Sequence, residues 1–121
     1  MANDYDITAR NVMLDQLATV CLRAALHSGD PGAANLAANE LAGGTPAYAR
    51  KAITWGAAGA GTMDETTSPT FDVPAGSTVA WVSYWNVAGT VRYLKKAVTN
   101  EVFGAQGTYQ LTDTDFDLND A

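Results

Sequence analysis

The stretch Ser77-Thr78-Val79-Ala80-Trp81-Val82-Ser83-Tyr84-Trp85-Asn86-Val87 constrains this chain more than any other. It is rich in β-branched and aromatic residues, the types that suit a pleated surface. Strict alternation puts Val79, Trp81 and Trp85 on one face and Val82 and Tyr84 on the other. Both faces are then apolar, which predicts a central strand covered on two sides. A central strand needs neighbours, and the flanking sequence supplies them. Thr70 to Val73 reads as a short strand closed by Pro74-Ala75-Gly76, since proline cannot donate to a central ladder. Thr90 to Val98 alternates again after a turn at Ala88-Gly89, and Thr108 to Leu111 follows Gly104 and Gly107. Ala47 to Trp55 sets Ala49, Ile53 and Trp55 against Tyr48, Arg50 and Thr54. Turn signals recur about every 8–12 residues, a spacing that suggests an all-β sandwich or barrel. That leaves no room for crossover helices, so the sheets should be antiparallel. The expected fold is mainly β, a jelly-roll-like antiparallel β-sandwich with a short N-terminal α-helix.

The helix is expected at about 6–18. Asp6 and Thr8 are both capping types, and Ile7, Leu14, Leu17, Ala18 and Cys21 recur at helical spacing. A strand then runs to His27 and is stopped by Ser28-Gly29-Asp30-Pro31-Gly32, a dense turn signal. One long helix from Thr8 to Leu26 is the competing parse. Residues 28–46 are alanine-rich, punctuated by Asn35, Asn39 and Gly43-Gly44, with no strand period. Structureless segments of that length are commonly functional or contact surfaces, although Asn35 to Leu41 has room for one or two helical turns. With the β-sandwich at about 47–118, the chain of 121 residues reads as one domain.

Charge narrows the partners. A net charge of −6 and seven scattered basic residues exclude nucleic acid, which needs clustered cations. Only 17% of the residues are charged, and aromatics fall inside the strand-like stretches, so the chain is folded. Cys21 is the only cysteine; with no intrachain disulfide, stability must come from packing or from partners. The N-terminal residues are polar and acidic, unlike a secretion signal. No apolar run approaches the roughly 20 residues a membrane span needs. Synthesis in a cytoplasm, without a membrane, is expected.

Each candidate for chemistry has a simpler structural reading. His27 precedes Ser28 and lies near Asp30, but triads are defined by geometry and not by adjacency, and turn residues of this kind usually cap backbone groups. One His and one Cys make a poor zinc site. Asp113, Asp115 and Asp117 have the opening spacing of a calcium loop, yet the required glycine and closing glutamate are missing. Their alternation with Phe116 and Leu118 fits a strand with a solvated acidic face. Trp81, Tyr84 and Trp85 offer rings for a glycan platform, although large aromatics of this kind also make a sandwich core. No phosphate cradle, paired-cysteine motif or nucleophile elbow is present. No catalytic residue, metal ligand or cofactor is predicted.

Three segments together resemble a known group of proteins: Leu26-His27-Ser28-Gly29-Asp30-Pro31-Gly32, Glu40-Leu41-Ala42-Gly43-Gly44-Thr45-Pro46-Ala47-Tyr48-Ala49-Arg50-Lys51, and the run from Thr70 to Trp85. With Phe103-Gly104-Ala105-Gln106-Gly107-Thr108-Tyr109, they resemble small virion proteins of long-tailed phages, the tail-fibre or minor tail proteins frequent in phages of actinobacteria. The likeness covers roughly residues 10 to 118. It implies a non-enzymatic virion subunit whose partners are other virion proteins and further copies of itself in a symmetric assembly. The loop and the helix are the expected contacts, with Asp30, Pro31, Asn35, Asn39, Tyr48, Arg50 and Lys51 as candidate interface residues. A capsid decoration protein and a carbohydrate-binding module using Trp81, Tyr84 or Trp85 are the competing functions.

Overall fold

The computed structural model describes residues 5–112 and the backbone of 115–117. The helix, α1 (Ile7–Val20), starts at Asp6, whose extended backbone makes it the N-cap although its side chain makes no capping bond. Leu14 is buried and Leu17 and Ala18 pack against the same core, so the apolar row turns inward. The helix stops at Cys21, and the strand β1 (Arg23–His27) begins two residues later. The long-helix parse is therefore replaced by the helix-then-strand one. Ala24, Ala25, Leu26 and His27 are all buried, which a strand flanked on both faces permits and a one-sided surface helix does not.

The remaining strands are β2 (Lys51–Ala52), β3 (Thr62–Asp64), β4 (Thr70–Val73), β5 (Ser77–Trp85), β6 (Arg92–Phe103), β7 (Gly107–Gln110) and β8 (Asp115–Asp117). They form a four-stranded sheet in the order β2-β1-β5-β6 and two ribbons, β3-β8 and β4-β7. Every pairing is antiparallel, as the short connections require. The strand from Ser77 is central, lying between β1 and β6. One core gathers Leu26 of β1, Ile53, Met63 of β3, Phe71 and Val73 of β4, and Val79, Val82 and Tyr84 of β5. The ribbons thus cover one face of the sheet and complete a mainly β, two-layered fold.

Two expectations are corrected. The strand read over Ala47 to Trp55 shrinks to Lys51–Ala52, with Trp55 in a separate bridge to Glu65, because the Tyr48 N–H turns back to the Gly43 carbonyl and not to a ladder partner. The strict alternation along β5 fails between Val79 and Trp81. There two steps along β5 face four along β6, from Glu101 to Ala97, so the extra residues of the bulge lie in β6 and the regular ladder is interrupted at Ala80. Val79 therefore joins Val82 and Tyr84 in the core, while Ser83 and Trp85 face the other way, toward His27. The segment from Asn35 to Leu41 forms turns and no helix. Asp113, Leu118, Asn119 and Asp120 lie outside the described residues.

Candidate functional site

The face of the sheet opposite the ribbons is covered by the loop at 28–46. The loop returns antiparallel to β1: the Ser28 N–H donates to the Asn39 carbonyl at 2.8 Å, the Leu41 N–H donates to the Leu26 carbonyl at 3.1 Å, and Glu40 bridges His27. Asn35 and Asn39 both have positive φ, 64° and 63°, a left-handed conformation that asparagine tolerates better than other non-glycine residues. Those two positions set the turns that lay the loop flat.

Beneath it runs a continuous polar chain. The His27 Nδ1 lies 2.9 Å from the Ala38 carbonyl, and its Nε2 lies 2.6 Å from the Ser83 hydroxyl. A carbonyl only accepts, so Nδ1 carries the proton and Nε2 accepts from Ser83. Ser83 Oγ in turn accepts from the Trp85 indole N–H at 2.6 Å. Burial holds the imidazole below its ordinary value, against the opposing pull of the Ala38 carbonyl and the Glu40 charge. His27 is therefore the neutral tautomer this bonding needs.

Next to it, the Leu26 N–H donates to the Tyr48 hydroxyl at 2.9 Å, and that hydroxyl donates to Glu40 Oε2 at 2.8 Å. Arg50 meets the same carboxylate with a fork, Nε to Oε2 and Nη2 to Oε1, both at 2.9 Å. Burial alone would push the Glu40 carboxyl up, but the bonds from Arg50 and Tyr48 outweigh it and the net shift is downward. Burial pushes the Tyr48 phenol up. The Arg50 guanidinium lies 4.1 Å from the centre of the Trp85 ring, a cation–π contact that closes the circuit. On the far side, Lys95 pairs with Asp30 at 2.7 Å and lies 5.6 Å from the centre of the Trp81 ring. The Arg92 guanidinium donates to the carbonyls of Gly32, Ala33 and Leu36, and the Arg92 backbone N–H donates to Asn35 Oδ1.

The structure thus brings most of the candidate interface residues together, as fasteners between loop and sheet. Asp30 also accepts from the Gly32 N–H, Pro31 is buried, and the Asn39 amide donates to the Asp30 carbonyl. Lys51 stands apart on β2. The three rings do not make one platform. Tyr84 is in the core against the ribbons and Trp85 lies buried under the loop, while Trp81 is half-buried beside Lys95. Alternation along the strand, as the sequence pattern predicts, sets Tyr84 on the face opposite Trp81 and Trp85.

Ser83 is the residue sequence reasoning missed. Its distance from His27 is that of a nucleophile and its base, although 56 positions separate them in sequence. Both are fully buried, a carbonyl replaces the orienting acid, and the serine oxygen already accepts the indole N–H. In this conformation the pair acts as a structural link. Cys21 is buried as well, and burial pushes its thiol up to about 12. Among the described residues, no group of His, Cys, Asp and Glu is arranged to hold a metal ion, and no helix is long and apolar enough to cross a membrane.

The fold and its polar bonds together define an antiparallel β domain in which buried polar side chains tie a long loop to a sheet. The chain belongs to the family described as Podophage GP4 fiber I protein gp80, whose model matches residues 3–115. It is a phage fibre-type protein and a component of the virion. The fibre-type resemblance is supported by this match, which is to a family described from a podophage and not from a long-tailed phage. No match is found among curated proteins or among solved structures.

Proposed function

We propose that this chain is a non-enzymatic structural subunit of the phage fibre, acting through protein–protein contacts with further copies of itself and with other tail proteins. One observation carries the reading. The polar side chains a catalytic or ligand site would need are occupied in two bonded groups, His27 with Ser83 and Glu40 with Tyr48 and Arg50. The exposed surface instead carries large apolar side chains, Val12 at 62%, Val87 at 57% and Val102 at 75% exposure. Exposed apolar residues that gather into patches on a folded domain mark contact sites. A small disulfide-free domain also gains stability when copies assemble.

Cross-linking with mass spectrometry on intact particles tests this. Cross-links between copies of the chain and to tail components are expected. Recovery of the protein only on tail-less heads would make it a capsid decoration protein. Its absence from purified particles would sink the structural reading altogether.

A further inference from the structure

The four-stranded sheet has two edges, and they end differently. On one side β2 is two residues long. On the other β6 runs for twelve, Arg92–Phe103, and stands last in the strand order. A bare row of N–H and C=O groups is a template for another strand, so natural sheets blunt their edges with short strands, bulges, lysines or a covering loop. Here the loop reaches the start of β6, where the Arg92 backbone N–H donates to Asn35 Oδ1. The bulge interrupts the ladder beyond Ala97. Between those two points Leu94 to Ala97 pairs regularly with Tyr84 to Trp81, and no strand among the described residues lies along its outer side.

The side chains there show the same opening. Leu94 and Lys96, opposite the buried Tyr84 and Val82, are exposed on one face, and Ala97, opposite Trp81, is exposed on the other. Lys95 does not guard the edge. Its ammonium turns inward, onto Asp30 and toward the Trp81 ring of β5. A strand laid along the outside would cover both rows.

Charge selects what that strand carries. A groove beside this edge is walled by loop residues Gly32 to Ala34 and, across from them, by Arg92, Tyr93, Leu94 and Lys95. Two cations and no acid line it, on a chain with thirteen acidic residues against seven basic. The Arg92 guanidinium bonds neutral carbonyls of the loop, which leave its charge in place. The Lys95–Asp30 pair is solvent-exposed, and pairs of that kind hold weakly, so an incoming carboxylate can join the lysine. The same edge of a second copy does not suit. Two-fold pairing sets one patch against itself, and like charges opposite one another destabilise a strand pair.

We infer that the outer edge of β6, at residues 93–97, takes an extended acidic segment of a different virion protein as an added strand of the sheet. Main-chain bonds along such an edge give affinity, and the side chains beside it give specificity. The inference rests on the fibre-subunit reading and deepens it by naming the kind of partner.

The test uses intact particles and the purified full chain. Carbodiimide joins lysine amines directly to carboxylates in contact, and mass spectrometry identifies both ends. Lys95 or Lys96 is expected to be joined to an Asp or Glu of another virion protein. Amide exchange reads the backbone. In an antiparallel edge strand every second amide points away from its neighbour, so in the purified chain alternate amides of 93–97 should exchange fast. In the particle those amides should slow at least about tenfold. Unchanged exchange there overturns the added strand, even if a cross-link forms through side chains alone. Slowed exchange with Lys95 joined to nothing but its own Asp30, or with either lysine joined to a second copy, overturns the acidic foreign segment. A chain cross-linked to tail components solely through other surfaces removes this edge and leaves the fibre-subunit reading in place. Absence of the chain from particles removes both.

Discussion

The hydroxyl of Tyr48 stands where the ladder between β1 and β2 gives out. Strand β2 pairs with Arg23 and Ala24 only, so the Leu26 N–H needs another acceptor and Tyr48 provides it. Tyr48→Phe keeps the ring and its stacking on Phe71 but strands that buried N–H and removes a donor from Glu40. Leaving a buried donor unsatisfied costs about 1–3 kcal/mol, so the Tm should fall by about 4–10 °C for a domain of this size, measured by thermal melts. His27 predicts a pH dependence. Its folded-state value is lowered by burial from the ordinary 6.5, so below that pH the unfolded chain binds a proton the folded chain refuses. Its contribution is complete above about 6.5 and is lost as the pH falls toward the lowered folded value. Glu40, also lowered, acts with the same sign, but only below its ordinary 4.5. Melts of wild type should therefore show Tm declining from neutral pH down to pH 5, and His27→Gln should flatten that slope whatever its absolute stability. An equal slope in both would exclude His27 as its source.

Among the elements, the loop at 28–46 depends most on a single side chain outside itself. Arg92, at the start of β6, reaches three loop carbonyls with its guanidinium. Lysine keeps the charge but lacks the planar fork, and bonds to charged groups are worth about 1.5–3 kcal/mol each. Arg92→Lys should raise amide exchange in residues 32–39 at least about tenfold, by the usual conversion of 1.4 kcal/mol to a factor of ten. Exchange in β1 and β5 should be unchanged. If the whole sheet accelerates equally, the loop is not a separate opening unit. The elements differ in how far they were legible in the sequence. The helix, its end before β1, the central placement of β5 and the short strand at Thr70 to Val73 follow from local periodicity and turn residues. The interruption of the ladder after Val79 does not, since it arises from mismatch with a partner strand some twenty positions away. The same holds for the site. Asn35 and Asn39 announce turns, but nothing near His27 points to Ser83, and nothing near Arg50 points to Trp85. Those pairings exist only because β1 and β5 become neighbours and the loop folds back over them.

For the whole molecule, acidity opposes the self-association proposed for a fibre subunit in a way that salt can reveal. Each copy carries −6, and copies in contact bring those charges within a few tens of ångströms. At low ionic strength the screening length is about 30 Å at 0.01 M, so repulsion between copies is nearly unscreened; at 0.15 M it is about 8 Å. A contact through exposed apolar side chains such as Val12, Val87 and Val102 has no ion pair to lose. Association should therefore tighten as sodium chloride rises, by a few-fold to tenfold over that range, with sulfate salts tightening it further by favouring apolar burial. An interface built on Lys95–Asp30-type pairs would respond in the opposite sense, weakening with salt as those pairs are screened. Sedimentation equilibrium over a salt series measures the difference directly. Val12→Glu and Val87→Glu should show the steeper gain with salt, since each adds a charge inside the contact, whereas Thr108→Glu should follow wild type.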